Sequence, residues 1–94
     1  MILKLIYSKS AVRDLARLKE FIFLSDPPAA RRVITLLLKR LELLMTFPEI
    51  GVPVSKAPKP NSVRDLFVGQ YVVRYLISNN LITILRVWHE KEDR

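Results

Sequence analysis

Ala11, Leu15, Leu18 and Ile22 recur at intervals of four, three and four. At 3.6 residues per turn this spacing aligns them on one face of a helix, with Arg13, Arg17 and Glu20 opposite. The preceding stretch "ILKLIY" at 2–7 is short and β-rich and predicts a strand, after which Ser8 or Ser10 can accept a hydrogen bond from a free N–H of the first helical turn. "SDPPAA" at 25–30 restarts a helix, because Asp26 is a good N-cap and proline in the first helical positions forfeits no helical hydrogen bond. Over 27–46 a second helix is predicted, its core face formed by Ala30, Val33, Ile34, Leu37, Leu38, Leu41, Leu44 and Met45. The two helices then make a hairpin. Leu36 and Leu43 fall outside that sector, one above the other and flanked by Arg32, Lys39 and Arg40. This minor apolar ridge in positive charge is either the margin of a broad core or a partner site.

"FPEIGVPVSKAPKPNS" at 47–62 holds four of the six prolines and reads as a long surface connection. "VRDLFV", "QYVVRYLIS" and "LITILRVWH" follow, separated by Gly69 and by Asn79–Asn80, where Asn tolerates the positive φ of a tight hairpin turn. They predict a three-stranded antiparallel meander. A two-residue turn at Asn79–Asn80 sets Ile77 opposite Ile82, Tyr75 opposite Ile84, Val73 opposite Arg86 and Tyr71 opposite Trp88 on one face. On the other face, Leu76, Arg74 and Val72 oppose Thr83, Leu85 and Val87. Both faces carry bulky apolar groups, and a helical hairpin covers only one, so the other calls for a second cover such as another protein.

Composition narrows the function. Ninety-four residues suit one small domain spanning 1–94, and 50% hydrophobic against 27% charged residues describes a chain that folds. With no cysteine and His89 as the lone histidine, the chain holds no thiolate site and no imidazole cluster, which argues against a metalloenzyme. Sixteen Lys and Arg against nine Asp and Glu give a formal charge of +7, suited to an acidic partner or simply to solubility. The N-terminal apolar run is too short for a signal peptide, and no stretch approaches the ~20 apolar residues of a membrane span, so the expectation is a cytoplasmic protein without membrane contact.

The order strand, helix, helix, proline-rich loop and meander, with "SKSAVRDLARLKEFI", "PAARRVITLLLKRLELLMTFPEIG", "VRDL", "YVVRYLI" and "ILRVWHEKEDR", resembles the ParE branch of the RelE/ParE toxins of type II toxin–antitoxin systems. The similarity covers nearly the whole chain. It implies an α+β fold in which an N-terminal strand and a two-helix hairpin pack on an antiparallel sheet with a C-terminal three-stranded meander. It also implies a cognate ParD-like antitoxin that wraps the toxin, operator DNA bound only through that antitoxin, and neither cofactor nor small-molecule substrate. On this resemblance Leu36, Leu43 and Arg40, with Arg74 and Leu85 of the sheet, are the expected antitoxin-binding residues.

Within the family, RelE-like ribonucleases cut messenger RNA on the ribosome. They use lysines on the first meander strand, an arginine after the aromatic that opens the next, and basic and aromatic groups near the C-terminus, groups that deprotonate a 2′-hydroxyl and stabilise the charge that develops on phosphorus. Here Val63 and Asp65 stand where lysines are expected, and Val72 follows Tyr71. Basic groups remain at Arg64, Arg74, Arg86, His89, Lys91 and Arg94. ParE-like members instead inhibit DNA gyrase by binding, which needs a surface and no catalytic residues. The expected target-binding cluster is Arg86, Trp88, His89, Lys91 and Arg94, with Trp88 serving either as lid of the core or as interface anchor. His89 next to Arg86 has no Asp or Ser partner at a recognisable spacing, so a contact or structural role is expected in place of a general base. The tail "EKEDR" is too short for an independent helix and stays ordered only if it docks. The alternatives are a ribosome-dependent ribonuclease and a basic DNA-binding domain, the latter disfavoured by the absence of helix-turn-helix spacing.

Overall fold

The computed structural model describes residues 3–57, 59 and 62–92. Strand β1 (Lys4–Tyr7) leads into helix α1 (Lys9–Ser25), helix α2 (Pro27–Glu42) and a 3₁₀ turn (Leu43–Met45). A two-residue strand β2 (Val52–Pro53) precedes the meander of β3 (Val63–Val68), β4 (Tyr71–Ser78) and β5 (Leu81–His89). Ser8 is the N-cap of α1, its hydroxyl accepting from Ala11 N at 3.0 Å. Asp26 joins the two helices: its N–H closes α1 on Ile22 O, and its side chain accepts from Ala29 N at the start of α2. Both caps act as the sequence predicts, and the second helix tightens to 3₁₀ at Leu43 where a longer α-helix was expected.

The sheet order is β1-β5-β4-β3-β2. The meander is antiparallel, whereas β1 pairs with β5 in parallel, Tyr7 opposite Ile84, so the sheet is mixed. Asn79 and Asn80 adopt φ of 50° and 63°, the two-residue hairpin turn that sets Ser78 opposite Leu81. Gly69, at φ 59°, makes the other turn.

The predicted register holds only to the middle of the hairpin. Tyr75 opposes Ile84, but Arg74 opposes Arg86, which leaves Leu85 as an extra residue on β5. This bulge changes which residues face the helices. Val87, expected on the face of Arg74 and Leu76, lies opposite Val73 with both fully buried, and Tyr71 lies opposite His89 in place of Trp88. Trp88 moves to the far face, opposite Val72. Without the bulge Arg86 would enter the core between Ile84 and Trp88, and burying an unpaired guanidinium is far costlier than one irregular residue.

The core lies between the hairpin and one sheet face, where Ala11, Leu18, Leu37, Leu41 and Leu44 meet Val68, Val73, Tyr75, Ile82, Ile84 and Val87. Leu38, expected in the core, is 39% exposed. It stands at the rim of the sector whose centre is Ala30, Leu37, Leu41 and Leu44, all fully buried. Tyr75 ties the proline-rich connection to the sheet, donating to Pro48 O at 2.6 Å and accepting from Gly51 N at 2.9 Å. Gly51 is required at that point, because a Cβ there would stand 2.6 Å from the Tyr75 hydroxyl.

Candidate functional site

Beyond Tyr7, β5 has lost its neighbour β1, and the side chains of α1 take over its edge. The Ser8 hydroxyl donates to Leu85 O at 2.9 Å and its N–H to Ile84 O, so the bulge carbonyls are satisfied by a helix cap. Asp14, 4% exposed, accepts from Val87 N at 2.9 Å and from Arg86 Nε at 2.7 Å on Oδ2, while Oδ1 takes Arg86 Nη2 at 3.2 Å and Arg17 Nη2 at 3.3 Å. Burial pushes this carboxyl up, but the hydrogen bonds from Arg86, Val87 and Arg17 outweigh it and hold Asp14 below the usual carboxylate range. Arg86 is thus committed to Asp14 although its side chain keeps 48% exposure.

After His89 the chain turns back against α1. His89 Nδ1 accepts from Lys91 N at 3.1 Å, and the protonated Nε2 faces Gln70 Oε1 at 3.0 Å, so both ring nitrogens are occupied. The Tyr71 ring meets the His89 ring edge-on at 5.0 Å. Glu92 Oε1 accepts from His89 N at 2.9 Å, and Oε2 pairs with Arg17 Nη1. These groups border a cleft of about 430 Å³ between α1 and the end of the hairpin, with Leu18, Phe21 and Ile22 on one wall and Tyr71 and His89 on the other. Burial, then the nearby charge of Glu92, pushes the Tyr71 hydroxyl above its ordinary pKa. Phe21, 72% exposed, continues as an apolar surface to Leu24 at the tip of the hairpin, 79% exposed.

On the far face, Arg74 grips Asp65 with Nε at 2.8 Å and Nη2 at 3.0 Å and lies 5.2 Å over the Trp88 ring. Hydrogen bonding to Asp65 holds Arg74 firmly charged. Trp88 is 8% exposed and Phe67 beside Val72 is 53% exposed. Leu36 and Leu43 are 45% and 44% exposed on the outer side of the hairpin, with Arg40 exposed near them.

The predicted target-binding residues therefore divide between two faces. His89 and Lys91 border the cleft, Trp88 lies on the far face under Arg74, Arg86 is held at the β5 edge, and Arg94 lies outside the described residues. The expected antitoxin-binding residues divide likewise, with Leu36, Leu43 and Arg40 outside the helices and Arg74 and Leu85 on β4 and β5. Sequence reading missed Asp14, Arg17 and Glu92. Asp14 stands next to the apolar face of α1, and apart from Arg17 its partners follow 72 and 73 residues later.

A two-helix hairpin on a five-stranded mixed sheet is the α+β architecture of the RelE/ParE toxins. The chain matches the model of the ParE toxin of type II toxin–antitoxin systems, parDE, over residues 5–94. It belongs to that family and is a type II toxin. Toxin RelE3 of Caulobacter vibrioides is 32% identical over 88 residues, covering 89% of this chain and 90% of its own length. A chain of the chromosomal ParDE system from Pseudomonas aeruginosa superposes with a TM-score of 0.78 at 18% identity, covering 94% of this chain and 96% of that one. One from the Mycobacterium tuberculosis RelBE2 toxin–antitoxin complex does so with 0.70 at 21%, covering 98% and 95%. Among the described residues no helix is long and apolar enough to cross a membrane.

Proposed function

We propose that this toxin arrests growth by binding DNA gyrase and is neutralised by a ParD-like antitoxin, through which alone it reaches operator DNA. The observation that carries the reading is the state of the side chains a ribonuclease would use. Asp65, in place of a lysine, is locked onto Arg74, and His89 spends both ring nitrogens on Gln70 and Lys91. A general base needs a free acceptor within reach of its proton, and an acid beside a scissile phosphate repels it. What remains is surface: the cleft rim with Lys91, and apolar groups outside the core.

The antitoxin is assigned to Leu36, Leu43 and Arg40, together with Arg74 and Leu85. Leu36, Leu43 and Arg40 lie outside the helices and Arg74 on the far face of the sheet, so one antitoxin chain reaches both only by passing round an edge of the sheet. Purified toxin should abolish gyrase supercoiling and leave messenger RNA intact in a translating extract. The ribonuclease reading is kept by one observation, the RelE names of two relatives at 32% identity. Shortened ribosome-bound messenger with untouched gyrase would establish it and overturn the gyrase reading.

A further inference from the structure

We propose that Arg17 and Glu92 are positioning residues, an ion pair that holds the segment after β5, and with it Lys91, in the conformation that engages the toxin's target. The inference rests on the reading that this segment touches the target.

Four contacts shape the segment without α1. Glu90 N donates to Gln70 O at 2.8 Å, Glu92 N to His89 O at 3.0 Å, His89 N to Glu92 Oε1 at 2.9 Å, and Lys91 N to His89 Nδ1 at 3.1 Å. They form a turn but fix it only to the end of the hairpin. Glu92 Oε2 supplies the link to the helix by pairing with Arg17, 75 residues earlier in the chain. Arg17 is itself restrained, its Nη2 lying 3.3 Å from Asp14 Oδ1 and 3.4 Å from Val87 O. A continuous chain of polar contacts thus runs from buried Asp14 through Arg17 to the tail. Lys91 is exposed and, among the described residues, has no acidic partner, so its charge is available to a partner once its backbone is placed.

The test separates positioning from simple stability. Exposed ion pairs contribute little to folding, so Glu92→Gln, which keeps an oxygen for His89 N but loses the charge, should melt within about 2 °C of wild type. The same pair, acting on a two-state segment, shifts its population by roughly fivefold at most. Glu92→Gln and Arg17→Gln are therefore each expected to speed amide exchange at Lys91 and Glu92 about threefold to fivefold and to weaken growth arrest and gyrase inhibition by a similar factor. Arg17→Lys should retain most of both, and the double variant should be no worse than Arg17→Gln alone, since Arg17→Gln already removes the only contact that Glu92→Gln takes away. Unchanged inhibition despite faster exchange, or additive losses in the double variant, would overturn the proposal. A wild-type toxin that arrests growth but spares gyrase would sink only the gyrase reading, because exchange and growth arrest still report the positioning. A wild-type chain that arrests nothing would overturn both.

Discussion

Asp14→Asn keeps the shape of the most heavily bonded buried side chain and removes its charge. The carboxylate takes four hydrogen bonds, two on each oxygen. An amide offers one oxygen and one NH₂ group, so two of the four donors must face another donor. The cheaper orientation keeps oxygen toward Val87 N and Arg86 Nε, whose distances are 2.9 and 2.7 Å, and turns NH₂ toward the longer contacts with Arg86 Nη2 and Arg17 Nη2. Those guanidiniums are nearly half exposed and recover water, so each lost contact costs about 1 kcal/mol, less than the full worth of a charged hydrogen bond. The expected loss is about 2 kcal/mol, or roughly 8–16 °C in melting temperature for a domain of this size. Asp14→Ala, which also orphans the buried Val87 N–H, should lose about 3–5 kcal/mol. Thermal unfolding by circular dichroism at neutral pH measures both. Because the folded pKa lies below the unfolded one, Asp14 stabilises the protein above its unfolded pKa of about 3.9, and that contribution disappears as pH falls through the folded value. The difference between wild type and Asp14→Asn should therefore shrink in acid. An Asn variant that melts within about 2 °C of wild type at neutral pH would refute this account of the β5 edge.

Replacing Leu36 and Leu43 together by Ser should weaken antitoxin binding, measured by calorimetry, while thermal stability stays nearly unchanged. A large fall in melting temperature with unaltered affinity would place them in the core. Tyr75→Phe leaves Gly51 N and Pro48 O without their partner, and each unsatisfied buried group costs about 1–3 kcal/mol, so a urea titration should show a loss of at least about 1 kcal/mol. His89→Gln should reduce growth arrest only modestly if His89 holds the turn, whereas a general base would cost roughly 10² to 10⁴-fold.

Local chemistry determined the elements themselves, apart from the short β2, which pairs with β3 inside the stretch expected to be a surface connection. The spacing of Ala11, Leu15, Leu18 and Ile22 made α1, Ser8 and Asp26 capped the helices, and Asn79–Asn80 turned the hairpin, because each depends on residues within a few positions of one another. Helical phase set Leu36 and Leu43 outside the core sector but left open whether a broad core wraps round them; the folded chain leaves them 45% and 44% exposed. One clue to the β5 bulge also lay in the sequence: strict alternation would have buried Arg86, whereas a phase change after Ile84 turns Val87 inward. Where that change falls, and what receives Arg86, only the folded chain decides. Asp14 and Arg17 reach Arg86, Val87 and Glu92 across 70 to 75 residues, and Tyr75 reaches Pro48 and Gly51 across 27 and 24. Periodicity carries no information over such separations. The parallel pairing of β1 with β5 leaves half an edge open, and the geometry of that edge, not any local motif, selects which polar side chains of α1 complete it.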